Sequence, residues 1–215
     1  MSQISDEKLE KENLDGNKKK YKELTRLLER IFNFKRWGFR QSYSFISPKY
    51  LPYVIYDSEC CRIKFSLGTG DIPGAYEMSI SYGRLHAPDS EAVIIWKGEK
   101  CHCWHNVFHA LDFLDGLSPQ EAVDRLRIQK QWPKPVEEFS QSEFWKKLLV
   151  DRLPERSARL HAAIWEYYGQ RLFDLFDLRR PELWEEYSLF ISGYYKILNR
   201  KPMPGNPFPS EDKIC

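Results

Sequence analysis

The sequence predicts an α+β fold: an N-terminal helix, an antiparallel meander of four to six strands, and a helical C-terminal half. Three observations carry this expectation. Tyr21, Leu24, Leu27, Leu28, Ile31 and Phe34 recur at helical spacing, which places them on one face of a helix. From about residue 40 to 105 the period changes to two, with Gly and Pro breaks between short runs, as in strands joined by turns. Beyond residue 106 the helical period returns, and Pro119, Pro154 and Pro181 stand where first helical turns are expected, because proline's missing N–H is unused there.

Taken in order, residues 1–16 hold five acids and two bases and end in Asp15-Gly16, a turn signal, so they are expected to be a disordered lead-in. The first helix is expected from Asn17 to Phe34, with Gly38 as its stop. Tyr43–Ile46 and Tyr53–Tyr56 are β-prone runs broken by Pro48 and Pro52. In Cys61-Arg62-Ile63-Lys64-Phe65, the apolar residues share one face. Tyr76, Met78, Ile80 and Tyr82 alternate with Glu77, Ser79 and Ser81, the pattern of a strand with one wet face. Val93–Trp96 is continuously apolar and reads as a central strand, and 97–100 turns the chain back into Cys101–Trp104.

Asn106 is suited to cap a helix ending at Gly116. Ser118-Pro119-Gln120-Glu121 has the form of a capping box, in which the serine and the glutamate satisfy each other's end of the first turn. Further helices are expected at about 142–152, 155–177 and 181–199. The resulting organisation is a core domain over 17–132, a linker at 133–141, a helical region at 142–199 packed on the core, and a flexible tail at 200–215 rich in proline.

Composition narrows the function classes. The chain has 215 residues, 42% hydrophobic and 30% charged, with a net charge of +2. That suffices for one well-buried core. No apolar run approaches the ~20 residues of a membrane span, and the N-terminus lacks the basic start and apolar stretch of a signal peptide. Five cysteines, two of them adjacent, do not form a secreted disulfide framework. The expectation is a cytoplasmic protein in a reducing compartment, with no membrane partner.

Four groups of residues carry candidate chemistry. Cys101, Cys103, His105 and His109 lie in a nine-residue segment; three on one strand face and a fourth one helical turn on would form a mixed Cys/His zinc site. The same segment supplies a thiol nucleophile, Cys103, with His105 or His109 as base and Asp112 or Asp89 to orient it. Tyr82, Arg84 and His86 share a strand face and would bind a carboxylate or phosphate. Residues 17–40 carry nine bases against Glu23 and Glu29, with aromatics interleaved, a pattern suited to nucleic acid through the basic helix 18–40.

The C-terminal helices are aromatic on more than one side. Trp165, Phe173, Trp184, Tyr187 and Tyr194 are therefore candidate contact residues for a partner protein or a second copy. The leading expectation is a small accessory or interaction protein, not an enzyme, that binds protein through these helices without a cofactor. The alternatives are a metal- or thiol-dependent enzyme centred on Cys101–His109 and a nucleic-acid-binding protein.

Overall fold

A computed structural model describes residues 3–69, 76–85, 87–89, 93–96, 99–102, 104–128, 138, 153–198 and 213–214. The helical period read from Tyr21 onward belongs to a longer helix, α1 (Gln3–Ile31), so the expected lead-in is helical from Gln3. Gly16 costs a helix about 1 kcal/mol relative to alanine. Glu7/Lys11, Lys8/Glu12 and Lys11/Asp15 stand four apart along this helix. Asp15 also pairs with Lys18 at 3.1 Å. Asn17 then anchors the helix: its buried amide donates to the carbonyls of Ser47 and Tyr50 at 2.7 and 3.0 Å.

Past α1 the chain turns through Phe32, Phe34 and Phe39, all buried. Gly38 takes a φ of 70° in that turn, a conformation that costs a side-chain-bearing residue. Four strands follow as an antiparallel meander: β1 (Arg40–Phe45), β2 (Tyr53–Asp57), β3 (Cys61–Thr69) and β4 (Tyr76–Arg84). A two-residue strand, β7 (His105–Asn106), joins β4 at Ser81 and Tyr82 and completes the order β1-β2-β3-β4-β7. The period-two reading holds here: Cys61, Ile63, Phe65, Met78, Ile80 and Tyr82 are buried on the helix side, while Ser79 is exposed.

Val93–Trp96 is β5, but it is not central. It pairs with β6 (Glu99–His102), which pairs with β8 (Lys213–Ile214), in a separate sheet of order β5-β6-β8. A four-residue apolar run cannot by itself distinguish a central strand from one arm of a hairpin. Within the expected tail, Lys213–Ile214 is thus a strand. The expected helix at 142–152 lies outside the described residues, as does the expected linker at 133–141 apart from Glu138.

The described helices beyond the sheet are α2 (Val107–Leu114), α3 (Pro119–Ile128), α4 (Leu153–Phe176) and α5 (Pro181–Ile197). Asn106 caps α2 by accepting from the Phe108 N–H at 2.9 Å. Ser118 and Glu121 form the capping box: Glu121 accepts from the Ser118 N–H at 2.7 Å, and the Glu121 N–H donates to the Ser118 hydroxyl at 3.3 Å.

Helix α4 lies on β4 and β3, with α1 and α5 beside it, α2 between β4 and α5, and α3 on α5. Its stripe of Ile164, Trp165, Tyr168, Leu172, Leu175 and Phe176 is fully enclosed, each such side chain contributing about 1.5–3 kcal/mol. Among the described residues no helix is long and apolar enough to cross a membrane.

Trp37 fixes how closely the turn after α1 approaches α4. A Cβ at Gly169 would run into the Trp37 indole, whose Cζ2 would stand only 3.0 Å away. Gly169→Ala is therefore expected to destabilise the fold by about 1–3 kcal/mol through overpacking. Gly16→Ala, which meets nothing within 4 Å, should stabilise α1 by up to about 1 kcal/mol. Urea unfolding of the two variants checks the opposite signs; a neutral or stabilising Gly169→Ala would contradict the placement of the indole.

Candidate functional site

The Cys/His segment is divided between two sheets. Cys101 lies on β6, whereas His105 lies on β7 of the main sheet; Cys103 is outside the described residues. The His105 ring packs 5.2 Å from Trp184 and 6.1 Å from Tyr187, while the His109 ring packs 4.8 Å from Tyr194. These contacts fall on stretches of α5 about nine residues apart, roughly 13 Å along a helix. The two histidines are thus drawn to different parts of the core. Among the described residues no three His, Cys, Asp or Glu side chains come together as metal ligands.

Tyr82 and Arg84 do share a face, but it is the interior one; His86 lies outside the described residues. Arg84 sits under α5 with its guanidinium 4.9 Å from the centre of the Trp184 ring, and it is 9% exposed. Tyr82 is completely buried beneath α4. Its hydroxyl accepts from Trp165 Nε1 at 3.0 Å and lies 2.9 Å from His161 Nδ1. Because an indole N–H can only donate, the tyrosine O–H is left to donate to the neutral histidine, which places the ring proton on Nε2. Asp57, near the same sheet end, accepts from Arg62 Nε at 2.8 Å.

Of the aromatic residues expected to meet a partner, Trp165, Trp184, Tyr187 and Tyr194 are buried within the chain. The correction has a simple cause. Helix α4 is covered by the sheet, α1 and α5, and α5 is covered by α2, α3 and α4, so each helix needs apolar residues on several sides. Only Phe173 of the five is half-buried and borders open space. The basic stretch is likewise partly engaged: Lys18 pairs with Asp15, Arg30 with Glu155 at 3.3 Å, and Arg36 with Glu166. Among the described residues the exposed large hydrophobics are Leu9 on α1, Tyr50 before β2, Leu85 after β4, Tyr167 on α4, Leu178 after α4 and Leu189 on α5.

The surface feature the sequence reading missed is a groove of about 1050 Å³ at one end of the sheet. Three walls form it: the turn from α1 into β1 (Lys35, Trp37, Gly38, Phe39, Arg40), the β2–β3 hairpin (Asp57, Ser58, Glu59, Cys60), and α4 with the turn after it (Gln170, Phe173, Arg179). The floor is aromatic. Phe39 stacks on Phe173 with ring centres 5.6 Å apart, and Trp37 lies 6.0 Å from Phe173. The Arg36 guanidinium lies 4.8 Å from the centre of the Trp37 ring.

The rim charges are unequally engaged. Asp57 is held by Arg62. Asp177, just below the rim, accepts from Arg179 Nε and its terminal nitrogen at 2.9 and 2.7 Å, and those bonds hold its carboxyl down at about 2. Cys60 donates its thiol to the same carboxylate at 3.5 Å. Burial, reinforced by Asp177, pushes that thiol up, so it remains protonated and is a poor nucleophile at neutral pH. Among the described residues Lys35 and Arg40 make no ion pair, and Glu59 on the hairpin is the one acid lining the groove that they face unopposed.

No protein-family model, curated protein or solved structure matches the chain. The groove is therefore interpreted from its own residues.

His161 supplies a test of the seating of α4 on β4. Enclosure pushes its pKa down from 6.5 to about 3. Below about pH 6.5 the unfolded chain takes up a proton that the folded chain refuses, so this group's stabilising contribution is lost as the pH falls from 6.5 toward 3. Unfolding free energies between pH 6.5 and 5 should decline in the native protein and decline less in His161→Phe. That variant should also be about 1–3 kcal/mol less stable at pH 7, since the Tyr82 hydroxyl loses its acceptor. Equal slopes would contradict the buried neutral ring.

Proposed function

We propose that the protein acts as a binding protein and that the sheet-end groove receives a segment of a partner protein. One observation carries this reading: two cations without ion-pair partners among the described residues, Lys35 and Arg40, line the same groove as Trp37, Phe39 and Phe173. Aromatic anchors bordered by charge are the usual composition of a contact surface. The groove is only partly enclosed, whereas a small ligand is typically enclosed over 70–90% of its surface. An open aromatic trough suits a chain segment.

The reading keeps the expectation of an accessory or interaction protein but moves its contact surface. The aromatic helices contribute through α4's last turns, at Gln170 and Phe173, while the rest of their aromatic surface holds the fold together. Lys35, Trp37 and Arg40 supply the rim and floor from the other side.

A photo-reactive residue substituted at Gln170, with a second variant carrying it at Lys19 on the outer face of α1, tests this reading in the full chain. The expected result is a defined protein adduct from position 170 that disappears when K35E and R40E are added, with the unfolding midpoint unchanged. Adducts formed only from position 19, or an adduct from position 170 that survives both charge reversals, would contradict it.

A further inference from the structure

We infer that the segment filling the groove is acidic and carries an aromatic side chain, an inference that rests on the groove being the docking site. The charge argument proceeds residue by residue. Among the described residues, five charged side chains line the groove: Lys35, Arg40, Asp57, Glu59 and Arg179. Arg62 engages Asp57 through Nε at 2.8 Å, and Asp177 engages Arg179 at 2.7 Å. Both of these are local pairs that an incoming chain need not disturb. What remains without an ion pair among the described lining residues is Lys35 and Arg40 against Glu59.

The neighbouring cations are already matched: Arg36, over Trp37, pairs with Glu166, and Arg180 pairs with Asp174 at 3.2 Å, so the balance of the rim is set by the lining residues themselves. A basic segment would meet a rim of its own sign, while an acidic one would gain two charge-assisted contacts. Such contacts act on the approach as well as on the bound state, so they weaken with added salt.

The aromatic requirement comes from the floor. Phe39 is closed off by its neighbours at 4% exposure, but Trp37 and Phe173 are only half-buried and lie with their ring centres 6.0 Å apart. Each therefore leaves part of its ring uncovered beside the other. A ring from the partner laid against them gains offset or edge contact worth more than an aliphatic side chain of equal area. Gly38, with no side chain between Trp37 and Phe39, leaves the approach to this floor open.

The test uses the full-length protein and a fluorescein-labelled eight-residue peptide of alternating Glu and Phe, followed by anisotropy. Two companion peptides replace every Glu by Lys or every Phe by Ala. The Glu/Phe peptide is expected to bind most tightly. Its affinity should fall roughly tenfold in K35E/R40E and fall again with added salt, while Glu59→Gln should strengthen it. Thermal unfolding of each variant confirms that the fold is intact.

A Lys/Phe peptide that binds as tightly as the Glu/Phe peptide, or a Glu/Ala peptide that does so, overturns the inferred chemistry. If K35E/R40E still alters that binding, the groove stands as a docking site and only the partner's class is wrong. Glu/Phe binding that is indifferent to K35E/R40E overturns both.

Discussion

The seating of α4 on β4 is the interaction on which the other layers depend. Tyr82 is fully enclosed, and a buried hydroxyl without partners would cost about 1–3 kcal/mol. Trp165 and His161 from α4 satisfy it from two sides, so the helix has one rotation and one register at which both bonds form. Trp165 extends the constraint. Its ring lies 5.3 Å from Phe39, 5.7 Å from Trp37 and 4.9 Å from Phe173, linking the exit of α1 to the end of α4. Emptying such a site costs about 3–5 kcal/mol, a large part of the stability of a typical domain.

The groove is the outer edge of the same aromatic cluster. Trp165 and Phe39 are interior; Trp37 and Phe173 continue the contact outward until the rings reach solvent. Packing sets their positions, with Gly169 allowing the Trp37 indole to lie against the backbone of α4. The chemistry that surrounds them is separate. Arg62 and Asp177 neutralise one charge each on the walls, and the charges they leave unmatched determine what the rim attracts. Floor and rim can therefore be altered independently, because the stability of the floor does not depend on Lys35 or Arg40.

Much of the fold was legible because its signals are local. The alternation in Cys61–Phe65 and Tyr76–Tyr82, the Ser118–Glu121 box and the prolines opening α4 and α5 each depend on residues a few positions apart. The start of α1 was misjudged because Asp15-Gly16 is a turn signal only where the flanking segments do not support a helix, and here Asn17 ties the helix to the carbonyls of Ser47 and Tyr50. The division of the Cys/His segment is not a local signal. Neighbours in sequence are parted when β6 and β7 enter different sheets. The groove was hidden because its residues come from three distant stretches of the sequence, at 35–40, 57–60 and 170–179, none unusual alone.

The most direct measurement of the central claim, that this sheet end is where the protein meets its partner, is an amide NMR titration of the ¹⁵N-labelled full chain with the Glu/Phe peptide. The groove predicts saturable shifts concentrated at residues 35–40, 57–60 and 170–179, the three walls formed around Trp37 and Phe173. Shifts confined to the basic face of α1 at 18–30, with those walls unmoved, would contradict it.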